Sequence, residues 1–311
     1  MPVLSFPIPL KLGLIGYPLE HSLSPAIHQA ALLARGIPGE YQLYPIPPLP
    51  EGAEMLDKLL NRLRRSEIHG LNVTIPHKQA VLDRLDDLTR DARLIGAANT
   101  LYARGSQIIG HNTDGLGFRL DLHTLGCSSS TAGDALVLGA GGSACAVVSI
   151  LLSDGWRVTL ASRRLEQASQ LAARYRAINK SRQEQILPAH LQVIELKPAP
   201  LALYLSQRDA PRQPLLVVNT TPVGMAPHVD DSPWPAEIPL PEGAYIYDLV
   251  YNPAETRLVR AARQAGLLAA NGLGMLVQQA ALSFERWTGQ DAPLQMMVEA
   301  ATAALACGSR K

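Results

Sequence analysis

Residues 134–153 read DALVLGAGGSACAVVSILLS, and this stretch decides the fold. DALVL is an apolar run of strand length, GAGGSA is a glycine-rich turn, and ACAVVSILLS continues apolar at helical length. A buried strand running through glycines into a helix opens a dinucleotide-binding βαβ unit. In Gly139-Ala140-Gly141-Gly142-Ser143-Ala144 the glycines fall at the first and third positions and alanine at the sixth, which that fingerprint permits. Glycines there let the backbone turn tightly and approach a pyrophosphate, whose charge meets the helix N-terminus. The same turn is also compatible with an ordinary strand-to-helix loop, so its surroundings must carry the reading.

The next strand-like run, WRVTLAS, leads into Ser162-Arg163-Arg164. An NAD site usually places Asp or Glu about 20 residues beyond the first glycine to bind the ribose hydroxyls. Two guanidiniums and a hydroxyl suit a ribose 2′-phosphate instead, so the cofactor expected is NADP (NADPH). A solvated surface pair is the alternative. Glu166, just inside the following helix, is placed to serve the helix dipole.

Outward from this unit, strands and helices alternate in both directions. Upstream, KLGLIG, SPAIHQAALLARG, EYQLYPI, EGAEMLDKLLNRLRRS and HGLNVTI read as β-α-β-α-β, with Ser24 as helix cap and Pro25 at the first helical position. GAANTLYA and SQIIGHN add two strand-like pieces before a helix near Gly115–Leu125, and CSSSTAGD reads as a boundary turn. Downstream, RLEQASQLAARYR is helical, and within residues 177–214 only QVIEL and LALYL look ordered. LLVVN and AYIYDLV are strand-like, and helices follow at TRLVRAARQAG, from about Gly274, and within APLQMMVEAATAALA. The fold class is α/β.

Composition narrows the function. A chain of 311 residues, 47% hydrophobic and 18% charged with a net charge of +1, is long enough for two globular domains and shows no sign of an extended nucleic-acid surface. Cys127, Cys145 and Cys307 contain no CxxC pair, which points to a reducing compartment. The start MPVLSFPIPLKLGLIG matches neither a secretory signal nor a transit peptide, so a cytoplasmic location is expected. Residues 135–153 and 265–284 are uncharged over lengths that could span a bilayer. Gly139, Gly141 and Gly142 break the first and Asn271, Gln278 and Gln279 the second, so neither is expected in a membrane. The eight histidines form no HExxH and no zinc-spaced cluster with cysteine, so no metal is expected.

The second chemistry-bearing group lies upstream. GLNVTIPHK, residues 70–78, puts polar Asn72 and Thr74 at a strand's carboxyl end, where α/β proteins bind ligands, and then Lys78 just past a proline. The chain has six lysines (Lys11, Lys58, Lys78, Lys180, Lys197, Lys311) among 28 basic residues, so an ammonium here calls for a reason. Unlike arginine, lysine can give up a proton when burial and neighbours tune it. An exposed structural lysine is the plain alternative. In HNTDG, Asp114 supplies a carboxylate able to hold Lys78, or a helix cap, or both. Asn72, Thr74 and Asn99 read equally as turn residues and as hydroxyl-binding groups.

Taken in order, HSLSP (21–25), GLNVTIPHK (70–78), GAANT (96–100), GHNTDGLGF (110–118), GAGGSA (139–144), NTTPVGM (219–225), YDLVYNP (247–253) and GMLVQQAALSFERWTG (274–289) resemble shikimate dehydrogenase. The likeness covers nearly the whole chain, and only residues 177–214 run longer than that family usually does. It implies an N-terminal substrate domain at 1–113, a Rossmann-like NADP domain at 114–271, and C-terminal helices at 272–311 returning to the first domain. Ser22 and Ser24 would bind a substrate carboxylate. Asn72, Thr74, Asn99, Asp114 and Gln279 would hold ring hydroxyls or line the pocket, and Tyr251 would reach in. Lys78 and Asp114 fill the catalytic pair. Gly139, Ala140, Gly141, Gly142, Ser143, Ala144, Ser162, Arg163 and Arg164 match the cofactor surface, with Thr220, Met225, Leu249, Gly272 and Met275 completing it near the nicotinamide. The implied reaction is reversible NADPH-dependent reduction of 3-dehydroshikimate to shikimate in aromatic amino-acid precursor synthesis, by a monomer or homodimer. The neighbouring reading is a quinate/shikimate dehydrogenase of dual substrate or NAD use. Leu165 stands where such NAD-tolerant relatives tend to carry an acid, which leans toward NADP. A non-catalytic ligand-binding relative is the remaining alternative, and the intact Lys78 and Asp114 argue against it.

Overall fold

Parallel strands covered on both faces need near-continuous apolar sequence, and KLGLIG meets that demand. In the computed structural model, which describes residues 9–127, 133–181, 190–208 and 215–308, this run is β1 (Leu10–Gly16), buried at every position but Lys11. It is followed by α1 (Ser24–Ala34), β2 (Gly39–Pro45), α2 (Ala53–Arg64), β3 (Gly70–Val73), α3 (His77–Ala80), β4 (Asp87–Leu88), α4 (Arg90–Ile95), β5 (Thr100–Arg104), β6 (Gln107–His111) and α5 (Asp114–Thr124). The strands form one sheet in the order β2-β1-β3-β5-β6-β4, with β1, β2 and β3 parallel and β5 antiparallel to both β3 and β6. Leu56, Leu59, Leu60 and Leu63 recur at helical spacing on α2 and are buried, each contributing about 1.5–3 kcal/mol of apolar burial. They pack with Ile15, Leu71, Val73 and Leu101 in a single core.

The second sheet is built from β7 (Asp134–Leu138), α6 (Gly142–Ser153), β8 (Arg157–Ser162), α7 (Leu165–Ser181), β9 (Leu191–Glu195), α8 (Pro198–Ser206), β10 (Leu215–Asn219), β11 (Tyr245–Asp248), α9 (Arg257–Gln264) and β12 (Leu268–Asn271). Its order is β12-β11-β10-β7-β8-β9, and every pairing is parallel. Counted from β7, this is the doubly wound 3-2-1-4-5-6 order, whose direction reverses between β7 and β10. α10 (Leu273–Thr288) and α11 (Leu294–Gly308) complete the chain. Contacts divide it into two units, one running through Gly117 and resuming at Leu276, the other Phe118–Met275. Within the first unit, α11 packs on α1.

Two local expectations change. Ser24 does not cap α1: the helix already begins at Ser24, no side-chain cap is present, and the Ser24 backbone N–H donates to Ser22 Oγ at 3.3 Å. Ser22, two residues before Ser24, supplies the oxygen because Ser24 and Pro25 are both inside the first turn. Short α3, β4 and α4, and the strand β12, are present where the sequence suggested loop or helix; runs of two to six residues carry too little periodicity to be read. The boundary turn at CSSSTAGD lies mostly outside the described residues, as do 182–189 and 209–214 of the long 177–214 region, whose described part holds β9 and α8. Among the described residues no helix is long and apolar enough to cross a membrane. The first uncharged stretch is β7 plus α6, and the second runs from β12 into α10.

Candidate active site

β3 alternates its faces as a strand must, sending Leu71 and Val73 into the apolar core and leaving Asn72 for the other side. Beyond it the chain is tied to β1 by the Thr74 N–H donating to Ile15 O at 2.8 Å, then turns into α3. Two contacts fix α3. The buried His77 Nε2 lies 2.7 Å from Ile46 O, and since a carbonyl only accepts, the ring carries a proton on Nε2. The Lys78 carbonyl accepts from Ala98 N–H at 2.8 Å.

So anchored, α3 presents Lys78 to Asp114 at the start of α5, with Nζ 2.7 Å from Oδ2. The side chains are 16% and 6% exposed, so the pair is shielded but still reachable. Asp114 is the first residue of α5 and uses its two oxygens on side chains: Oδ2 on Lys78 and Oδ1 on Asn99 Nδ2 at 2.9 Å. The Asp114 N–H itself donates to Asn112 Oδ1 at 3.0 Å. Only one of the three Lys78 ammonium protons has a partner among the described residues, leaving two to meet a ligand oxygen.

Asn99 sits at the centre of this cluster. Its Nδ2 has two protons and three acceptors in reach: Thr113 Oγ1 at 2.8 Å, Asp114 Oδ1 at 2.9 Å and Gln279 Oε1 at 3.2 Å. Its Oδ1 accepts from Thr113 N–H at 2.8 Å. Gln279 donates its own Nε2 to Leu276 O at 2.7 Å. One turn on, Ser283 Oγ lies 2.8 Å from Thr100 Oγ1 and accepts from Asn72 Nδ2 at 3.1 Å. Acceptors outnumber donors around Asn99, so a hydroxyl entering here finds unspent oxygen lone pairs beside an ammonium.

Of the residues singled out in this unit, the structure therefore brings Lys78, Asn99, Asp114 and Gln279 into direct contact. Asn72 joins them through Asn99 O and Ser283. Ser22 is half-buried and Ser24 buried, meeting each other through the turn before α1, and Thr74 is half-buried at the end of β3. His77, Thr100, Thr113 and Ser283 were not picked out from sequence. Thr113 and Thr100 lie inside quoted motifs, and the period of α10, which puts Ser283 one turn beyond Gln279, was the available signal.

In the second unit the GAGGSA turn lies where the doubly wound sheet reverses direction, at the carboxyl ends of β7 and β10. Thr220 bridges those ends, its Oγ1 donating to Leu138 O at 2.7 Å. Gly139 has φ +106°, and a Cβ there would sit 2.8 Å from Thr220 Oγ1. Beside Gly141 and Gly142 a Cβ would meet nothing within 4 Å, and α6 starts without a side-chain cap. An open cradle and unclaimed helix N–H groups fit a pyrophosphate. Ser162 is buried, its Oγ accepting from the Arg164 N–H at 3.1 Å, while Arg163 and Arg164 are exposed and pair with no carboxylate among the described residues. Ala140 lies within this loop, and Ser143 and Ala144 stand in the first turn of α6 behind it.

The nicotinamide-side candidates are scaffolded by a buried polar network. Asp248 accepts from Asn219 Nδ2 at 2.8 Å, Thr256 Oγ1 at 2.7 Å and Val250 N–H at 3.0 Å; burial raises its pKa, against the pull of those donors. Thr256 also caps α9. Leu249 donates its N–H to Asn219 O at 2.9 Å, and Gly272 leaves no room for a side chain, since a Cβ would fall 2.1 Å from Leu249 O. Met225 is 40% exposed, Met275 is buried and Tyr251 half-buried. Asp121 receives the Tyr247 hydroxyl and the Met275 N–H, which holds the first turn of α10; burial raises its pKa.

Comparison with known proteins places this geometry in context. Residues 14–101 match the family model "Shikimate dehydrogenase substrate binding domain" and residues 272–302 match "Shikimate 5'-dehydrogenase C-terminal domain". The chain is 42% identical over 296 residues to a shikimate dehydrogenase (NADP(+)) of Symbiobacterium thermophilum, covering 94% of each chain. It also resembles the crystal structure of shikimate 5-dehydrogenase from Thermus thermophilus in complex with NADP(H) and shikimate, at 36% identity and TM-score 0.79, covering 95% of this chain and 100% of that one. A shikimate dehydrogenase crystallised with NADP+ matches at 33% identity and TM-score 0.82, covering 96% of each.

Proposed function

This chain belongs to the shikimate dehydrogenase family, and we propose from that premise that it catalyses the reversible NADP-dependent interconversion of 3-dehydroshikimate and shikimate in aromatic amino-acid precursor synthesis. The observation that carries the reading is the Lys78 Nζ to Asp114 Oδ2 contact of 2.7 Å, set in a cluster where Asn99 and Gln279 offer oxygen lone pairs to a polyol. The first unit holds the substrate: Ser22 and Ser24 take its carboxylate, and Asn99, Asp114 and Gln279 its ring hydroxyls, with Thr74 lining the pocket.

In the reducing direction Lys78 Nζ gives a proton to the oxygen of the carbonyl as it becomes an alkoxide, and in the oxidising direction it takes one from the alcohol. Asp114 keeps the ammonium aimed and accepts from the neighbouring hydroxyl. A substrate missing one hydroxyl leaves buried groups unpaired, at about 1–3 kcal/mol each, which makes the site selective for the full hydroxyl pattern. The second unit holds NADP, with Gly139, Gly141 and Gly142 and the start of α6 at the pyrophosphate, Ser162, Arg163 and Arg164 at the 2′-phosphate, and Thr220, Met225, Leu249, Gly272 and Met275 toward the nicotinamide. Bound NADPH supplies the hydride. Three cysteines that form no CxxC pair support a cytoplasmic site of action, as a monomer or homodimer.

The test is cofactor reduction by purified protein with shikimate or quinate paired with NADP or NAD, compared as kcat/KM. Shikimate with NADP ahead by tenfold or more, about 1.4 kcal/mol in transition-state binding, is the expected result. Comparable quinate or NAD rates move the protein to the dual-specificity branch, and folded protein with no turnover in any pairing overturns the enzymatic reading.

A further inference from the structure

β9 ends in a carboxylate, Glu195, at the carboxyl edge of the sheet where its neighbour β8 ends in Ser162. The two strands are parallel, with Thr159 opposite Gln192 and Ser162 opposite Glu195. Register partners on neighbouring strands share a face, and the Gln192 Nε2 bond to Thr159 Oγ1 at 2.7 Å shows it for this pair. Glu195 therefore stands on the same face as Ser162, with strand backbones spaced at about 4.8 Å. The pairing extends one residue further, Leu196 N–H donating to Ser162 O at 3.0 Å, so the two strand ends are level. Ser162 closes β8 at about the distance from Gly139 where an NAD site carries its ribose-binding acid. Glu195 thus sets a negative charge one strand over from that position, where it favours ribose hydroxyls and repels a 2′-phosphate.

That charge is answered locally. Lys197 Nζ lies 2.6 Å from Glu195 Oε1. The Lys197 N–H donates to Glu195 O at 2.9 Å, closing a tight turn, and Pro198 follows as the first residue of α8, so the backbone keeps the ammonium beside the carboxylate. The side chains are 65% and 28% exposed, so the pair faces solvent and any ligand there. An exposed pair contributes little to stability, which leaves its field as its consequence. Arg163 and Arg164 pair with no carboxylate among the described residues and stay open to an anion. Glu166, the acid nearest them along the chain, accepts instead from Gln170 Nε2 at 3.4 Å inside α7.

We propose that Glu195 and Lys197 form a cofactor-selecting pair: Lys197 neutralises an acid placed to favour NAD, and so admits the 2′-phosphate to Ser162, Arg163 and Arg164. The inference rests on the NADP reading above, and both residues lie outside the motifs that carry the family likeness. Its test compares Lys197→Gln, Glu195→Gln and the double variant with wild type, by Kd for NADP and for NAD from calorimetric titration and by kcat/KM with shikimate. The single variants leave the pair one charge negative and one charge positive, and the double variant leaves it neutral, as in wild type. Lys197→Gln weakens NADP about fivefold while NAD holds or tightens, Glu195→Gln moves the NADP-to-NAD ratio the other way, and the double variant returns it to within about twofold of wild type, the scale of a unit charge acting on a phosphate near a protein surface. Raising salt from about 0.1 M to about 1 M shrinks the Lys197→Gln effect, because the screening length falls from about 10 Å to about 3 Å. An unchanged ratio in Lys197→Gln overturns the proposal, as do equal losses for both cofactors or a double variant that stays as low as Lys197→Gln. Should Lys197→Gln fail to fold, Glu195→Gln carries the test, and a ratio that does not rise overturns the proposal. Wild-type protein that binds NAD as well as NADP defeats the cofactor reading, whereas wild type that prefers NADP by a ratio no variant moves defeats this inference alone.

Discussion

Asp114→Asn is isosteric and removes one charge, so it isolates what the carboxylate does. Its oxygens accept from Lys78 Nζ at 2.7 Å and Asn99 Nδ2 at 2.9 Å, at a residue 4% exposed. An asparagine has one oxygen for two donors. Whichever way its amide turns, an NH2 group faces either Lys78 or the Asn99 amide, and one buried donor goes unmet. A hydrogen bond to a charged group is worth about 1.5–3 kcal/mol and an unsatisfied buried donor costs about 1–3. Because the two terms overlap, about 3–4 kcal/mol is the expected loss, which at 1.36 kcal/mol per decade lowers kcat/KM by two to three orders of magnitude. Initial rates of NADP reduction with shikimate, fitted for kcat and KM separately, read the effect, and a melting curve shows that the variant folds. A normal melt with kcat/KM within about threefold of wild type would refute the argument that Asp114 orients Lys78.

Three further outcomes follow from the geometry. The double variant Arg163→Ala, Arg164→Ala raises KM for NADP at least tenfold, from the loss of about 1.5–3 kcal/mol of charge-assisted contact, and leaves KM for NAD nearly unchanged; a parallel rise for both cofactors contradicts 2′-phosphate binding. Gly139→Ala lowers Tm because φ is +106° and the new Cβ meets Thr220 and Thr221 at 2.8 Å, whereas Gly141→Ala, with nothing within 4 Å, keeps Tm and raises KM for NADP; a Tm loss at position 141 sinks the cradle reading. His28 is neutral when folded, with a pKa lowered from 6.5 to about 3 by burial, so between those values the unfolded chain binds the extra proton and stability falls as pH falls. His28→Phe therefore reduces the loss in unfolding free energy between pH 6 and pH 4 by about 2 kcal/mol, measured by denaturant titration, and an unchanged pH slope refutes the assignment.

What could be read from sequence was what local pattern controls. GAGGSA between an apolar strand and an apolar helix is sufficient for β7, its turn and α6, because strand, glycine turn and helix all declare themselves within twenty residues. The switch point could not be read the same way: it exists only because β10 pairs beside β7 with Leu215 opposite Asp134, 81 residues apart along the chain and across the long region whose pattern is hard to parse. Asn72, Asn99 and Thr74 stayed divided between turn and ligand roles for the same reason. Ser283, which accepts from the Asn72 amide, is 211 residues away, and no window reports it. His28 and Tyr41 carry no local signal at all, since a histidine on an apolar helix face and a tyrosine in a strand are ordinary core residues until their rings are seen stacked. Ser24 shows the reverse error, a strong capping signal overruled when Ser22 supplied the oxygen first.

The discontinuous first unit sets an order of biosynthesis. Phe118–Met275 is contiguous, so all its strands are synthesised before its neighbour's last pieces. The polar cluster of Asn72, Asn99 and Thr100 waits, because Gln279 and Ser283 are among its partners and belong to the final tenth of the chain. Until those arrive, the nascent unit holds groups that cost free energy to bury unpaired, so it stays loose and hydrated around the place where chemistry will occur. Premature termination just before α10 thus removes the pocket itself, not merely its lining, and the middle unit, with all its strands made, would be a nucleotide binder with nothing to reduce.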